Sequence, residues 1–384
     1  MKSETRPGSD TSMLKKHIQY PVIALLLLFA FFSPAQGKKQ GDAEFKKSGL
    51  LIKNVRISPS SFNPSLNQKT EISFDLLQDA KITVNIFDPD GIPVKTLSDE
   101  TETSAGTQKT AWNGKDKKGN IVPDEAYSFT IKAVDKHGNT ETWKHPPQKW
   151  KRFDIPDPVI SKITNTITYQ IPKPCRTRIR IGIENGPLLF APLDWHPKVA
   201  GEIMVHWDGW DNNRAINIWK HPKSKMVITN IELPDNTIIT YGNRKLDYFE
   251  YCCPENSQTR NWKKRRNDPE IPVTSPAPLA LMLSPRLKIS FPMTKEFTPD
   301  SIPVLDKKTL VRVEVENKIL LSATSYEIIF FIDGEFYSEE PSGISPYNWV
   351  WDISNVEKGE HILTVNLVSF NDQIGAVSQE IIVK

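Results

Sequence analysis

Apolar and polar side chains alternate along several short stretches of the chain. Residues 72–76 follow this pattern, and residues 167–171 follow it again 95 positions later. Alternation with a period of two over such lengths predicts half-buried β-strands. Clusters of Gly, Pro and Asp separate these stretches in the first part of the chain, where we expect strands near 70–77, 80–87, 92–97, 107–112 and 126–134.

The same offset relates a longer set of residues. The pairs that recur 95 positions apart are Val84 and Ile179, Ile86 and Ile181, Gly91 and Gly186, Gly106 and Gly201, Trp112 and Trp207, Gly114 and Gly209, and Asp116 and Asp211. Chance does not produce so many matches without a gap. The pattern therefore predicts an internal duplication, in which Trp112, Asp116, Trp207 and Asp211 are the structural anchors of two repeats.

The composition favours β-structure. The chain has 384 residues, enough for several domains, and 30 of them are proline. Proline is poorly tolerated inside helices and is common at strand edges and in turns. Short alternating strands separated by Gly, Pro and Asp therefore predict an all-β protein of tandem β-sandwiches, and the resemblances given next imply that these are immunoglobulin-like.

The first repeat resembles a known family. The chain contains, in order, the segments Phe62–Pro64, Trp112–Asp116, Gly119–Asn120 and Ala126–Phe129. This order resembles the immunoglobulin-like module of the flagellar hook-capping protein, over roughly residues 55–136. The resemblance is weaker over 155–242, where residues 207–211 keep the turn but the later residues of the motif are absent. It implies structural or adhesive modules without catalytic residues.

The later part of the chain changes character. Residues 244–299 are rich in proline and carry a basic run, which is typical of a linker. Beyond them, Trp349 and Trp351 share one face of a predicted strand, and residues 359–365 begin another. Residues 300–384 resemble the bacterial Ig-like domains that are appended to secreted and surface proteins.

The N-terminus has the features of an export signal. Lys15 and Lys16 precede an apolar run over residues 22–32, and small residues lead up to Gly37, after which we expect cleavage. The alternative is an uncleaved N-terminal anchor. The expected organisation is a signal peptide over 1–37, a linker over 38–54, Ig-like repeats over 55–150 and 151–243, a linker over 244–299 and a C-terminal Ig-like domain over 300–384. The expected location is secreted, at the cell surface or in the periplasm.

The three cysteines are Cys175, Cys252 and Cys253. A bridge between neighbouring residues is strained, so in an oxidising compartment one of the adjacent pair can bond to Cys175. The alternative is that all three are reduced or only partly paired. The chain has no C-x-x-C-H haem attachment sequence and no C-x-x-C zinc pattern, and we expect no metal, no cofactor and no enzymatic activity.

Two clusters are candidate binding residues. Trp195, His196, Trp210 and Trp219 in the second repeat are the residues of an alternative hypothesis, an aromatic platform that binds carbohydrate. Trp207 is not counted among them because its counterpart Trp112 anchors the first repeat. Lys263, Lys264, Arg265 and Arg266 form a basic patch for an acidic partner, or are simply solvated.

The charge balance narrows the class of partner. The formal net charge is +3, which gives no global field to attract nucleic acid. We therefore expect a protein partner in an envelope or extracellular assembly, with a polysaccharide as the alternative ligand. We expect no nucleic-acid partner, and contact with a membrane only through an uncleaved leader. The predicted function is that of a structural or interaction protein whose tandem modules bind or space this partner.

Overall fold

The computed structural model describes residues 51–144, 149–243, 245–246, 248–252, 271–316, 325–369 and 372–384. The leader predicted over 1–37 lies outside these residues, as does almost all of the linker predicted over 38–54. Within the part of the chain that is described, no helix is long and apolar enough to cross a membrane. The described residues belong to one compact unit.

The first sandwich has two sheets. Its strands are β1 (Ile52–Ser58), β2 (Ser61–Phe62), β3 (Thr70–Leu76), β4 (Ala80–Phe87), β5 (Pro93–Thr103), β6 (Gly106–Trp112), β7 (Ala126–Asp135) and β8 (Thr140–Trp143), with a 3₁₀ turn at Pro64–Leu66. One sheet has the order β1-β3-β6, and the other contains β7, β4 and β5 in that order, with β8 on β7. The predicted strands near 70–77, 80–87, 107–112 and 126–134 lie within a residue of those observed, and the strand near 92–97 extends to Thr103.

The core of this sandwich forms around Trp112. The indole is fully buried, packs edge-on against Phe62 and Tyr127, and donates a hydrogen bond to Lys115 O at 3.0 Å. An edge-to-face arrangement of aromatic rings and a satisfied indole N–H are both favourable in a dry core. Trp112 is therefore a central residue of the first core.

The second sandwich has the same plan. Its strands are β9 (Arg152–Ile155), β10 (Val159–Ser161), β11 (Thr166–Ile171), β12 (Cys175–Ile183), β13 (Leu188–Lys198), β14 (Gly201–His206) and β15 (Ser224–Glu232), with a 3₁₀ turn at Ile218–Lys220. Its sheets have the orders β10-β11-β14 and β13-β12-β15-β9. The three-stranded sheets of the two sandwiches are thus built from strands that occupy the same places in the chain order.

The two sandwiches share one strand register. Leu76 pairs with Gly106 in the first, and Ile171 pairs with Gly201 in the second, so both partners move by 95 positions. Trp207 donates its indole N–H to Trp210 O at 2.9 Å, as Trp112 does to Lys115 O. In the other sheet, β15 is displaced by 97 positions from β7, so two residues are inserted before β15.

Glycine recurs two residues after each tryptophan for a steric reason. Gly114 and Gly209 have φ of +71° and +88°, which favours glycine. A Cβ atom at either position would lie 2.3 Å from a neighbouring ring, that of Pro64 in the first sandwich and that of Trp219 in the second. The recurrence of glycine after tryptophan in the sequence therefore reflects the same tight turn.

The third sandwich begins earlier than expected. Its strands are β17 (Leu287–Ser290), β18 (Val304–Leu305), β19 (Lys308–Val315), β20 (Tyr326–Ile332), β21 (Glu335–Glu340), β22 (Tyr347–Asp352), β23 (Gly359–Ser369) and β24 (Ile374–Val383), and its sheets have the orders β17-β19-β22 and β18-β24-β23-β20-β21. Strand β17 pairs with β19, so the predicted boundary at residue 300 is wrong and the sandwich starts at Leu287. Trp349 and Trp351 stack at 4.9 Å between the sheets, and Trp351 is buried.

Two segments do not follow the predicted domain boundaries. Strand β16 (Ile238–Thr240), within the span predicted for the second repeat, pairs with β2 and β7 of the first sandwich. Residues 271–286, within the predicted linker, include a 3₁₀ turn at Leu279–Leu281 and carry buried side chains such as Thr274 and Leu279. We call residues 271–286 the junction segment, because they pack between the sandwiches. A short helix, α1 (Tyr248–Cys252), precedes them in the chain.

Candidate functional site

Arg176 is the centre of the contact between the first and second sandwiches. It lies on β12 and its side chain is completely buried. Its Nη1 lies 2.7 Å from Glu125 Oε1 of the first sandwich and also donates to Trp195 O, while Nε donates to Thr274 O of the junction segment at 3.0 Å. A buried guanidinium is tolerated only when its donors are satisfied in this way. One side chain thus joins three parts of the chain.

Glu125 is buried with Arg176. Burial raises the pKa of its carboxyl, and the charge of Arg176 opposes that effect. The carboxyl also accepts a hydrogen bond from the backbone N–H of Ala126 at 2.6 Å. The pair has no exposed face, so it serves to position the two sandwiches.

The junction segment buries the turn between β4 and β5. A turn of the sequence Asp-Pro-Asp-Gly is ordinarily a surface feature, yet Asp90 is only 1% exposed. Its carboxylate accepts hydrogen bonds from Leu279 N at 2.9 Å and from the Tyr248 hydroxyl at 3.1 Å. A Cβ atom at Gly91 would lie 2.4 Å from Ile271 Cγ2, so only glycine allows this approach. The segment is therefore packed against the first sandwich and is not a free linker.

A second charged cluster joins the second and third sandwiches. Arg178 Nη2 lies 2.8 Å from Asp372 Oδ2, and Arg180 Nη1 lies 3.1 Å from Asp372 Oδ1. Burial acts to raise the pKa of Asp372, but the charges and hydrogen bonds of the two arginines outweigh it and hold the pKa below its ordinary value. On the same side, the Asn366 side chain exchanges two hydrogen bonds of 2.8 Å with the backbone of Leu188.

Trp195 is part of this cluster and not of an exposed platform. The indole is 2% exposed, and the guanidinium of Arg178 lies over it at 4.2 Å. The cation–π attraction is stronger away from water, and it offsets part of the cost of burying the guanidinium of Arg178. The indole is largely covered by Arg152, Arg178 and the junction segment, and the edge that it leaves open borders a cleft between the sandwiches.

The other residues of the predicted platform lie apart from Trp195. Trp219 packs edge-on against Trp207 at 5.4 Å in the second core, and Trp210 is half-buried under the guanidinium of Arg214. His196 is exposed and lines a cleft of about 660 Å³ where the three sandwiches meet. The structure does not bring the three tryptophans onto one surface.

The repeat anchors occupy equivalent turns. Asp116 accepts hydrogen bonds from Lys118 N and Asn120 N at 2.8 and 2.9 Å. Asp211 accepts one from Ile216 N at 3.2 Å across a loop that is one residue longer. Both carboxylates cap the turn that follows the tryptophan, which accounts for their recurrence.

Cys175 is a free thiol in the core of the second sandwich. Burial raises its pKa to about 11, so the thiol is protonated and unreactive at neutral pH. Of the two alternatives for the cysteines, this structure has Cys175 unbonded. Cys253 and the side chain of Cys252 lie outside the described residues, as does the basic patch of Lys263, Lys264, Arg265 and Arg266.

The central cleft has a mixed lining. Carboxylates such as Asp194 and amides such as Asn213 face apolar residues such as Phe190 and Leu287. Burial raises the pKa of Asp194, whose carboxylate accepts a hydrogen bond from Ser284 N of the junction segment. Over the described residues, no group of three or more His, Cys, Asp or Glu side chains is placed to hold a metal ion.

Part of the chain matches a known family. Residues 61–137 match the FlgD Ig-like domain, which confirms the resemblance inferred for the first repeat. The crystal structure of FLGD from P. aeruginosa is 25% identical, with a TM-score of 0.20, and the match covers 24% of this chain and 66% of that chain. No curated protein matches the chain.

Two further solved structures are similar at lower identity. Fibronectin(III)-like modules of CbhA from Clostridium thermocellum are 13% identical, with a TM-score of 0.19, over 86% of this chain and 94% of that chain. A bacterial ice-binding adhesin is 11% identical, with a TM-score of 0.18, over 88% and 99%. The sandwich fold rests on the strand pairing described above, and these values add no argument to it. An Ig-like domain fits a non-enzymatic structural or interaction role.

Proposed function

We propose that this chain is an exported, non-enzymatic interaction protein that holds three Ig-like modules as one rigid unit and presents them to a protein partner. The partner belongs to an envelope or extracellular assembly. The observation that carries this proposal is the buried contact of Arg176 with Glu125 and Thr274, which joins two sandwiches and the junction segment. Modules that are joined only by flexible linkers do not bury charged groups between them.

The rigidity has a physical basis. Separating the first two sandwiches would break the hydrogen bond of Arg176 to Glu125 and would expose the apolar contact of Ala126 with Leu233 to water. The third is tied to the second by Asp372, with Arg178 and Arg180, and by the hydrogen bonds of Asn366. Fixed modules keep a constant distance between binding surfaces, which suits a protein that spaces or presents a partner.

The modules also have a proposed common origin. Residues 151–243 are proposed to be a diverged second copy of the FlgD-type module, and the C-terminal sandwich is proposed to be a bacterial Ig-like domain. The shared offset of 95 positions in the strand pairs, and the matching bonds of Trp112 and Trp207, support the duplication. The basic residues and the apolar run of the segment 1–37 support the proposed export.

The proposal is tested in two steps. Small-angle scattering of the purified chain should fit one conformer, and the Arg176→Ala variant should broaden the distance distribution. Lys81→Ala is the matched control, because its ion pair with Glu102 is exposed and joins no modules. The immobilised wild-type chain should then retain a specific protein from envelope or culture fractions. A chain that retains none, or whose modules move freely in the wild type, contradicts the proposal.

A further inference from the structure

The edge strands of the two repeats differ in whether they carry a lysine that hinders pairing with a strand of another chain. Strand β6 is the edge of the sheet β1-β3-β6, and β14 is the equivalent edge of the sheet β10-β11-β14. Among the described residues, each pairs with one neighbour through an unbroken register. An edge strand of this kind presents unpaired backbone N–H and C=O groups, and proteins commonly protect it with a lysine in the middle of the strand.

Strand β6 has this lysine and β14 does not. Lys109 is exposed at the middle of β6, where it lies 2.9 Å from Glu71. The equivalent residue of β14, 95 positions later, is Met204, which is 58% exposed. The fold accepts a charged residue at this position, so the exposed methionine is not required by the sandwich itself.

The residues that flank Met204 on β14 can pair with the same residues of a second copy. Glu202 and His206 are both exposed and lie two positions before and after Met204, so they share its face. If β14 pairs antiparallel with β14 of a second copy and Met204 is at the centre, Glu202 of each copy lies opposite His206 of the other. Cross-strand partners of this kind stabilise a sheet. On the inner face, Ile203 lies opposite Val205 of the second copy.

The same pairing fails for β6. An antiparallel pair of β6 strands centred on Lys109 places two ammonium groups directly opposite one another, which destabilises the pair. The third sandwich ends its equivalent sheet in β22, where Asn348 and Asp352 flank Val350. These two side chains provide no opposite charges, and Asp352 already lies 3.9 Å from Lys308. Of the three edges, β14 alone combines an apolar centre with complementary flanks.

We infer that two copies of this chain associate through their β14 strands, forming a continuous six-stranded sheet across a twofold axis. The Met204 side chains of the two copies then lie opposite each other at the interface, and Thr168 and Val159 continue the same row across each sheet. This association is independent of the proposed role with another protein, which a monomer could also fulfil.

The test is the oligomeric state of the purified full chain. Sedimentation velocity over a range of concentrations should show a monomer–dimer equilibrium. Met204→Lys, which introduces the residue found on β6, should weaken the dimer at least about tenfold, because two lysines then face each other. The far-UV circular dichroism of this variant should be unchanged, since Lys109 shows that the sheet accepts lysine there. Lys109→Met is the matched control and should leave the β14 dimer intact.

Exchanging Glu202 and His206 tests the register in which the two β14 strands pair. Glu202→His alone places two imidazoles opposite each other, and His206→Glu alone does the same with two carboxylates, so each should weaken the dimer. The double variant restores opposite partners and should recover it. A chain that remains monomeric up to about 100 μM, well within the range of weak complexes, overturns the inference. So does a dimer that survives Met204→Lys, or one that is lost in Val350→Lys instead.

Discussion

The first and second sandwiches have the same strand register, but their outward faces differ in chemistry. On the inner face, Ile72 and Ile167 are both completely buried at equivalent places. On the outward face of the central strand, Lys81 is an exposed residue of the first sandwich, whereas the equivalent Arg176 is buried in the second. The difference shows that packing between the sheets fixes the register, while the outward positions are free to form contacts between modules.

The turns after the two tryptophans differ as well. In the first sandwich Asp116 closes its turn with two short hydrogen bonds, and in the second Asp211 spans a loop with one more residue. The longer loop brings Asn213 to the third sandwich, where its side chain donates to Ser378 O at 2.8 Å. The inserted residue leaves the fold of the second sandwich intact and allows a contact with the third.

The largest effects are expected for the two anchors of the comparison. Trp112→Ala and Trp207→Ala should each reduce the free energy of unfolding by about 3–5 kcal/mol, because each removes a buried indole from the centre of a core. Denaturant titration followed by circular dichroism measures both. If only one of the two destabilises the chain, the tryptophans are not equivalent. Val350→Ala, at a residue 68% exposed, is the control.

The next effect concerns the outward face. Arg176→Ala should cost about 3 kcal/mol, since it leaves Glu125 buried without its counterion. Lys81→Ala, at the equivalent place in the first sandwich, should change the free energy of unfolding by less than about 0.5 kcal/mol. Thermal unfolding of both variants gives the contrast. Equal effects of the two substitutions would remove the distinction between a covered and an open face.

Substitutions in the two turns should reduce the free energy of unfolding by smaller amounts. Asp116→Ala should cost about 2 kcal/mol, because it leaves two turn N–H groups unpaired. Asp211→Ala should cost about 1 kcal/mol, since burial penalises its carboxylate, whose pKa is raised, and its bond to Ile216 N is longer. Chemical denaturation distinguishes the values. A larger loss for Asp211→Ala than for Asp116→Ala contradicts this ranking.

The contribution of Asp372 to the stability of the contact with the third sandwich should depend on pH. The pKa of Asp372 is lowered in the folded chain, so its stabilising effect is complete above the ordinary pKa of an aspartate and is lost as pH falls through the lower folded value. The difference in melting temperature between the wild type and Asp372→Asn should therefore shrink below about pH 4. The exposed Asp300 supplies the control, and Asp300→Asn should show no such change. A difference that grows towards low pH contradicts the assignment.

The smallest effect concerns the edges. Lys109→Met should leave the free energy of unfolding within about 0.5 kcal/mol of the wild type, because Lys109 is exposed and its ion pair is weak. Denaturant titration at low protein concentration measures this without interference from association. A substantial loss would mean that the edge lysine supports the fold and does not merely protect it.

The sequence was sufficient to predict the all-β class and the first module because their signals are local. Period-two alternation gave the strands of the first sandwich, and the spacing between Trp112 and Trp207 gave the pairing register of the second. The contacts between modules were missed. Their signal was present in β12, where Arg176, Arg178 and Arg180 alternate on the outward face of a central strand. Such a face is ordinarily solvated, and nothing nearby in the sequence indicates what covers it.

What the sequence determined by itself was therefore the all-β class, the first module and the turns, since these depend on residues within a few positions of each other. The tertiary structure alone decided that Trp195 is buried, that Ile238–Thr240 joins the first sandwich and that the predicted linker is packed. These features arise between residues about 50 to 190 positions apart, as in Arg176 with Glu125 or Arg178 with Asp372. Local patterns do not encode such contacts, because burial between modules depends on which outward faces meet.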